Sequence, residues 1–257
     1  MQGYVSNELT HFTGASLHGH PDQQYDMLCS ILKSEELRAT YRVPSSPGLT
    51  ELTVSLKPGR IGGVMVGGPD GSFLDDSMLQ PAVVCFCDIP LSDLGIHMAK
   101  YSPFGIAFLK DSLVGKGASP VMYVPKAAHD EKEIYRWKKL EEIYRDLFEL
   151  QRAIFSVPKG VDPEKAKHWF WALVELDVRV FSYVKVFDHS VGDDNPANTY
   201  MEREWRVWGN VRFELKDVYR ILVPRAYSTR LRADFAGFAG QVNFSEDLIS
   251  VTQARSP

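Results

Sequence analysis

Cysteine is scarce in this chain. Three in 257 residues, Cys29, Cys85 and Cys87, are an odd count with no framework spacing. Cys85 and Cys87 alternate along a predicted strand and so share a face, which makes them poor disulfide partners, and they lack the C-x-x-C spacing of zinc sites. All three read as small buried hydrophobes in a reducing cytoplasm, with a lone reactive thiol as the alternative. The first residues hold no basic segment followed by an apolar run, so no secretory signal is expected. No apolar run has the length of a bilayer span, so no membrane partner is expected either.

An excess of charge of one sign is also missing. The formal net charge is −4, which exerts no global pull toward nucleic acid or an anionic surface. The basic residues Lys132, Arg136, Lys138, Lys139 and Arg145 could form a local patch. Glu131, Glu133, Glu141 and Glu142 are interleaved with them and cancel most of that charge, so nucleic acid is not an expected partner. No phosphate-loop motif occurs, because the Gly-Lys-Gly at 115–117 lacks the upstream glycine and the correct ending. There is no dinucleotide glycine fingerprint after a strand, no H-E-x-x-H and no G-x-S-x-G. His18, His20 and Asp22 lie close in sequence, but nothing suggests a fourth ligand. They read as a polar loop before a helix, and no metal site is expected.

What is present is a globular composition, 44% hydrophobic and 24% charged, long enough for a real core. Strands are expected at 8–13, 82–88, 104–109, 120–124, 179–187, 200–209, 218–224 and 241–244, from alternation or short apolar runs bounded by turn residues. Residues 41–80, rich in Gly, Pro and Ser, are expected to hold a hairpin. Helical spacing is expected over 25–39, with Asp22 as a possible cap, and over 128–156, with Ile134, Trp137, Leu140, Ile143, Tyr144, Leu147 and Leu150 on one stripe. A further helix opens on Asp162 as cap and Pro163 at its first position. Strands interrupted by helices without strict alternation predict an α+β fold with mixed, mainly antiparallel sheets. One domain over 1–257 is expected, with a helical insertion at about 126–176.

Two stretches carry candidate chemistry. In Tyr200-Met-Glu-Arg-Glu-Trp-Arg206, a strand would put Glu202, Glu204 and Arg206 on one face. The two carboxylates would then stand about 6–7 Å apart, one to orient a hydroxyl and the other to stabilise a cation or act as a base. The bland reading is an edge strand protected by alternating charges. His11 and Thr13 would likewise share a strand face and could hold a ribose diol or an amide, or could simply fix a turn. Tyr101 and Phe104 follow His97 on a loop between two strands. Aromatic rings there can stack a flat heterocycle or plug a core edge.

The order of these pieces resembles a known family. Leu9-Thr-His-Phe-Thr-Gly14, the helix through Ile31-Leu-Lys-Ser-Glu-Glu-Leu37, the segment 83–124 and Tyr200–Val207 are similar to the abortive-infection AbiGi family, whose members are described as antitoxins of a phage-resistance system. The segment around His97-Met-Ala-Lys-Tyr101-Ser-Pro-Phe104-Gly-Ile-Ala-Phe108 is the specific part. The same order is similar, more distantly, to ADP-ribosyltransferase folds, which implies a split sheet of that type and NAD as cofactor. On that likeness His11 and Thr13 would hold the ribose and amide of NAD, with Tyr101 and Phe104 beside the nicotinamide. Glu204 would be the catalytic carboxylate, and Glu202 would orient the acceptor. The Ser-Thr-Ser strand motif of arginine-type transferases is missing. The resemblance therefore implies either an NAD-dependent ADP-ribosyltransferase of anti-phage defence or a non-catalytic antitoxin that binds a cognate toxin, in both cases in the cytoplasm.

Overall fold

The computed structural model describes residues 6–39, 82–126, 136–155, 159–192, 195 and 198–249. The hairpin expected within 41–80 lies outside them. The fold is α+β, and the chain divides into two compact units. One is drawn from Met1–Ala39, Val83–Val121 and Ser190–Pro257, and the described part of the other is drawn from Met122–His189.

The first unit is a seven-stranded sheet. In chain order its strands are β1 (Glu8–Phe12), β3 (Val83–Cys87), β4 (Gly105–Leu109), β5 (Ser119–Pro120), β8 (Glu204–Trp208), β10 (Val218–Val223) and β11 (Gln241–Phe244). In space they run β11-β10-β4-β1-β3-β8-β5. All neighbours are antiparallel except β10 and β11, which are parallel. β2 (Glu36–Leu37) and β9 (Val211–Arg212) form a separate two-stranded pair.

Strand alternation gives the sheet two different faces. One face carries Leu9, Val84, Phe86, Ile106, Phe108, Val207 and Ile221. It packs against α1 (Pro21–Ser34) through Tyr25, Leu28, Cys29 and Leu32, which recur at i, i+3, i+4 and i+7, and against Leu231 of α6 (Ser228–Asp234). The second face carries Cys87 and Leu222. It is covered by Met98 of α2 (Gly95–Lys100), by Leu94 just before that helix, and by Leu248.

α1 begins four residues earlier than its periodicity predicts. Pro21 opens the helix, so Asp22 sits in the first turn and not at the cap. The turn from β1 into α1 requires a glycine. Gly14 has φ +74°, and a Cβ there would lie 3.0 Å from the Gln24 side chain and 3.2 Å from its Cα.

The second unit pairs β6 (Met122–Pro125) with β7 (Val184–Phe187) in parallel and packs α4 (Arg136–Phe155) and α5 (Pro163–Arg179) with them. Its core gathers Val124, Tyr144, Leu147, Phe181, Val184 and Val186. Two expectations are corrected here. The strand expected over 179–187 is strand only from Val184, because α5 runs on to Arg179 and a 3₁₀ turn fills Phe181–Tyr183. Ile143 and Leu150, expected on the buried stripe of α4, are 45% and 48% exposed, and Phe148 and Ile154 are buried instead.

Candidate functional site

Cross-strand register decides which candidate residues can meet, because directly opposed residues point to the same side of a sheet. Thr10 of β1 is opposite Cys87 of β3. Cys87 is opposite Glu204 of β8, and Cys85 is opposite Arg206. Thr10, Phe12, Cys85, Cys87, Glu204 and Arg206 therefore share the second face. His11 points the other way: it is opposite Ile106, and its ring meets the edge of Phe86 at 5.8 Å between centroids.

On the second face, two segments far apart in sequence build one charged cluster. Tyr101 follows α2, and its ring stacks on Phe12 at 5.8 Å and 19°. Its hydroxyl donates to Glu202 Oε1, and Lys100 Nζ donates to the same oxygen at 2.5 Å. Arg206 Nε donates to Glu204 Oε1 at 2.7 Å. Glu202, Glu204 and Arg206 are all buried. Burial first, then the Glu202 carboxylate, pushes the Tyr101 phenol up, so it stays a donor at any physiological pH. Burial, with the Glu202 charge as the next cause, also raises the Cys87 thiol. His97 sits beneath this cluster in the local core. Burial lowers its pKa against the opposing pull of Glu202, and its Nδ1 makes no hydrogen bond among the described residues.

Glu202 is not a strand residue, as the spacing had suggested. It ends a 3₁₀ turn, Thr199–Glu202, and Arg203 (φ +45°) turns the chain before β8 starts at Glu204. The left-handed Arg203 replaces the strand step that would have set the two carboxylates on one pleat. Cys85, expected to be buried, is exposed, while Cys29 and Cys87 are buried.

The remaining candidates lie elsewhere. His11 Nδ1 donates to the Cys85 carbonyl at 2.8 Å; burial lowers its pKa, so the ring is neutral. The Thr13 amide donates to the Phe104 carbonyl at 3.0 Å, and its buried hydroxyl has no partner among the described residues. The Phe104 ring has no exposed surface and packs edge-on to Tyr25 and Tyr227 in the core of the first face. The structure thus brings Tyr101, Glu202 and Glu204 together and does not bring His11 or Phe104 to them. Sequence reading gave no role to Lys100 or Arg206, and its reading of Cys87 as a small buried side chain agrees with the structure. The alternation of Glu204 with Arg206 was a usable signal for Arg206, and the adjacency of Lys100 to Tyr101 for Lys100.

Chemically, each carboxylate of the cluster already faces a cation. A glutamate that is to stabilise a developing positive charge must present uncompensated negative charge to it, and here Lys100 and Arg206 supply that compensation. Among the described residues, no group of three or more His, Cys, Asp or Glu could hold a metal ion, and no helix is long and apolar enough to cross a membrane.

The model of a protein family described as "Putative abortive phage resistance protein AbiGi, antitoxin" matches residues 77–234, more than half of the chain. That span contains α2, Tyr101, Glu202 and β8 in full. No curated protein and no solved structure matches.

Proposed function

The chain belongs to the AbiGi family of abortive phage resistance proteins, and we propose that it acts as an antitoxin, neutralising a partner toxin by direct protein contact. The observation that carries this reading is the internal pairing of the charged cluster. Glu202 is held by Lys100 and Tyr101, and Glu204 by Arg206. Such a network fixes the path of the chain on the second sheet face and presents no bare carboxylate for chemistry. Breaking a buried pair is costly, which suits a scaffold that must hold one shape for its partner. The test uses the genes that flank this one. Each is expressed singly, and a product that arrests growth serves as the toxin probe. Co-expression of the full chain is expected to restore growth and to yield a co-purifying complex. Absence of rescue by the wild-type chain overturns the antitoxin reading.

A second reading keeps one supporting observation: Tyr101, Glu202 and Glu204 meet in space, as an NAD-consuming transferase would require. The placement of His11 on the opposite sheet face counts against it, because the imidazole expected to hold the ribose cannot reach that cluster. A thermal-shift titration with NAD separates the two readings. A ligand specific to the folded state raises the melting temperature. The antitoxin reading expects no shift and no nicotinamide release, and either signal would favour the transferase.

A further inference from the structure

His97 is placed where a proton is hard to hold. It lies on α2 with 7% of its surface exposed, and its Nδ1 is buried with no hydrogen-bond partner among the described residues. A neutral imidazole tolerates one orphan nitrogen at modest cost. An imidazolium is a donor at both nitrogens, and an unpartnered charged donor in a dry site costs far more. Charge reaches His97 from two sides. Lys100 follows it by one turn on α2, and Glu202 comes from the turn before β8. The sheet turns Phe12, Cys87 and Leu222 toward the cluster around α2, and the segment after β11 adds Leu248 and Ile249. Glu246 and Asp247 of that segment hold Arg225. Glu204, whose charge reaches Tyr101, is held by Arg206.

Glu202 is already engaged. Its Oε1 accepts from Lys100 Nζ at 2.5 Å and from the Tyr101 hydroxyl. A proton on His97 sets an imidazolium and an ammonium in competition for one carboxylate. Lys100 can yield, because its side chain is 23% exposed and reaches water, whereas that of Glu202 is 7% exposed. Burial holds the His97 ring below the ordinary histidine range, against the pull of Glu202 and with the help of Lys100. A closed α2 therefore binds this proton less well than an open one, and acid favours opening. We propose that His97 is a proton-operated latch on the second sheet face. While it is neutral, α2 stays closed over Cys87; its protonation releases Lys100 and Tyr101 from Glu202 and lifts α2. The latch does not depend on the antitoxin reading above.

The experiment follows Cys87 in the full chain with 4,4′-dithiodipyridine, a thiol reagent that works in acid, and locates the label by peptide mass. The other two cysteines calibrate it. Cys85, exposed on the same strand, reports the pH dependence of the reagent itself. Cys29, buried on α1 against the first face, reports wider unfolding. Between about pH 7.5 and about pH 5, where an imidazole titrates, the rate at Cys87 relative to Cys85 is expected to rise at least about tenfold, with Cys29 unchanged. In His97→Gln, whose side chain stays neutral, that rise should vanish. A flat ratio in the wild type overturns the latch, as does an equal rise in a folded His97→Gln chain. A rise at Cys29 that matches Cys87 also overturns it, since His11, the neutral imidazole of the first face, or general unfolding would then be the cause. Should His97→Gln fail to fold, the wild type alone decides. The midpoint of Cys87 labelling must coincide with the titration of the His97 ring protons followed by NMR, and a separation of about one pH unit or more overturns the proposal.

Discussion

Glu204 and Arg206 illustrate how little freedom a buried charge leaves its neighbours. They alternate on β8 on a covered sheet face, with side chains 5% and 8% exposed and 2.7 Å between Oε1 and Nε. Glu204→Gln removes the carboxylate that faces the Arg206 guanidinium in a low-dielectric site. The expected cost is about 3 kcal/mol or more, read as a lowered denaturation midpoint at unchanged m-value. A double replacement of both residues by Met should recover most of that loss, because it removes both desolvated charges together. The cysteines give a second test at this scale. Burial raises the thiols of Cys29 and Cys87, whereas Cys85 is exposed. A thiol reagent applied to the native protein is therefore expected to modify one cysteine quickly, and all three only after unfolding. Rapid labelling of Cys87 in the native state would contradict the closed second face. Alternation made the shared face of Cys85 and Cys87 legible in the sequence. Their different exposures were not legible, because they depend on where α2 and residues 245–249 come to rest on the sheet.

At the scale of the element, local signals did well where they carried a mechanism. Asp162 caps α5 as expected, accepting from the Glu164 amide at 3.0 Å, with Pro163 behind it. They did poorly where tertiary context ruled. Alternation over 179–187 read as strand, yet a helix ending and a 3₁₀ turn occupy its first half. At 200–203 the left-handed Arg203 gave no warning, since it is neither Gly nor Asn. No periodicity or spacing placed Tyr101 beside the two glutamates, because α2 and the 3₁₀ turn at Thr199–Glu202 meet only in the tertiary fold. His11 was misplaced because a strand face cannot be assigned without knowing what covers it. The contact between α4 and α5 carries a pH-dependent weakness. Asp177 is raised to about 6, with burial as the main cause and its hydrogen bond with Tyr144 acting in opposition. A carboxyl raised in the folded state binds its proton more tightly there than in the unfolded chain. The stability it allows is fully present below pH 4 and is lost as the pH rises through about 6. Asp177→Asn is expected to stabilise the second unit at pH 7 by at most about 3 kcal/mol, with little effect at pH 4. A midpoint that does not respond at pH 7 would place the carboxylate in water.

For the whole molecule, the two units differ in how much apolar surface each encloses. The first closes three chain segments around two clusters, one of them holding Leu9, Phe104, Ile106, Phe108 and Ile221 with no exposed surface at all. Among the described residues the second rests on a cluster of six buried residues, with Leu173 of α5 packed against it. Hydrophobic stabilisation scales with the area removed from water, so the second unit should open at lower denaturant. The tryptophans are distributed so that this can be read directly. Trp137, Trp169 and Trp171 report on the second unit, and Trp205 and Trp208 on the first. In a Trp205→Phe/Trp208→Phe variant, fluorescence should change at a lower urea concentration than the bulk of the far-ultraviolet circular dichroism. In a variant with the other three replaced by Phe, fluorescence should follow the later transition. Two-state behaviour requires the probes to coincide. Coincident midpoints in both variants would mean that the two units unfold as one cooperative body, and the small core around Val124 and Phe181 would then draw stability from outside its own unit.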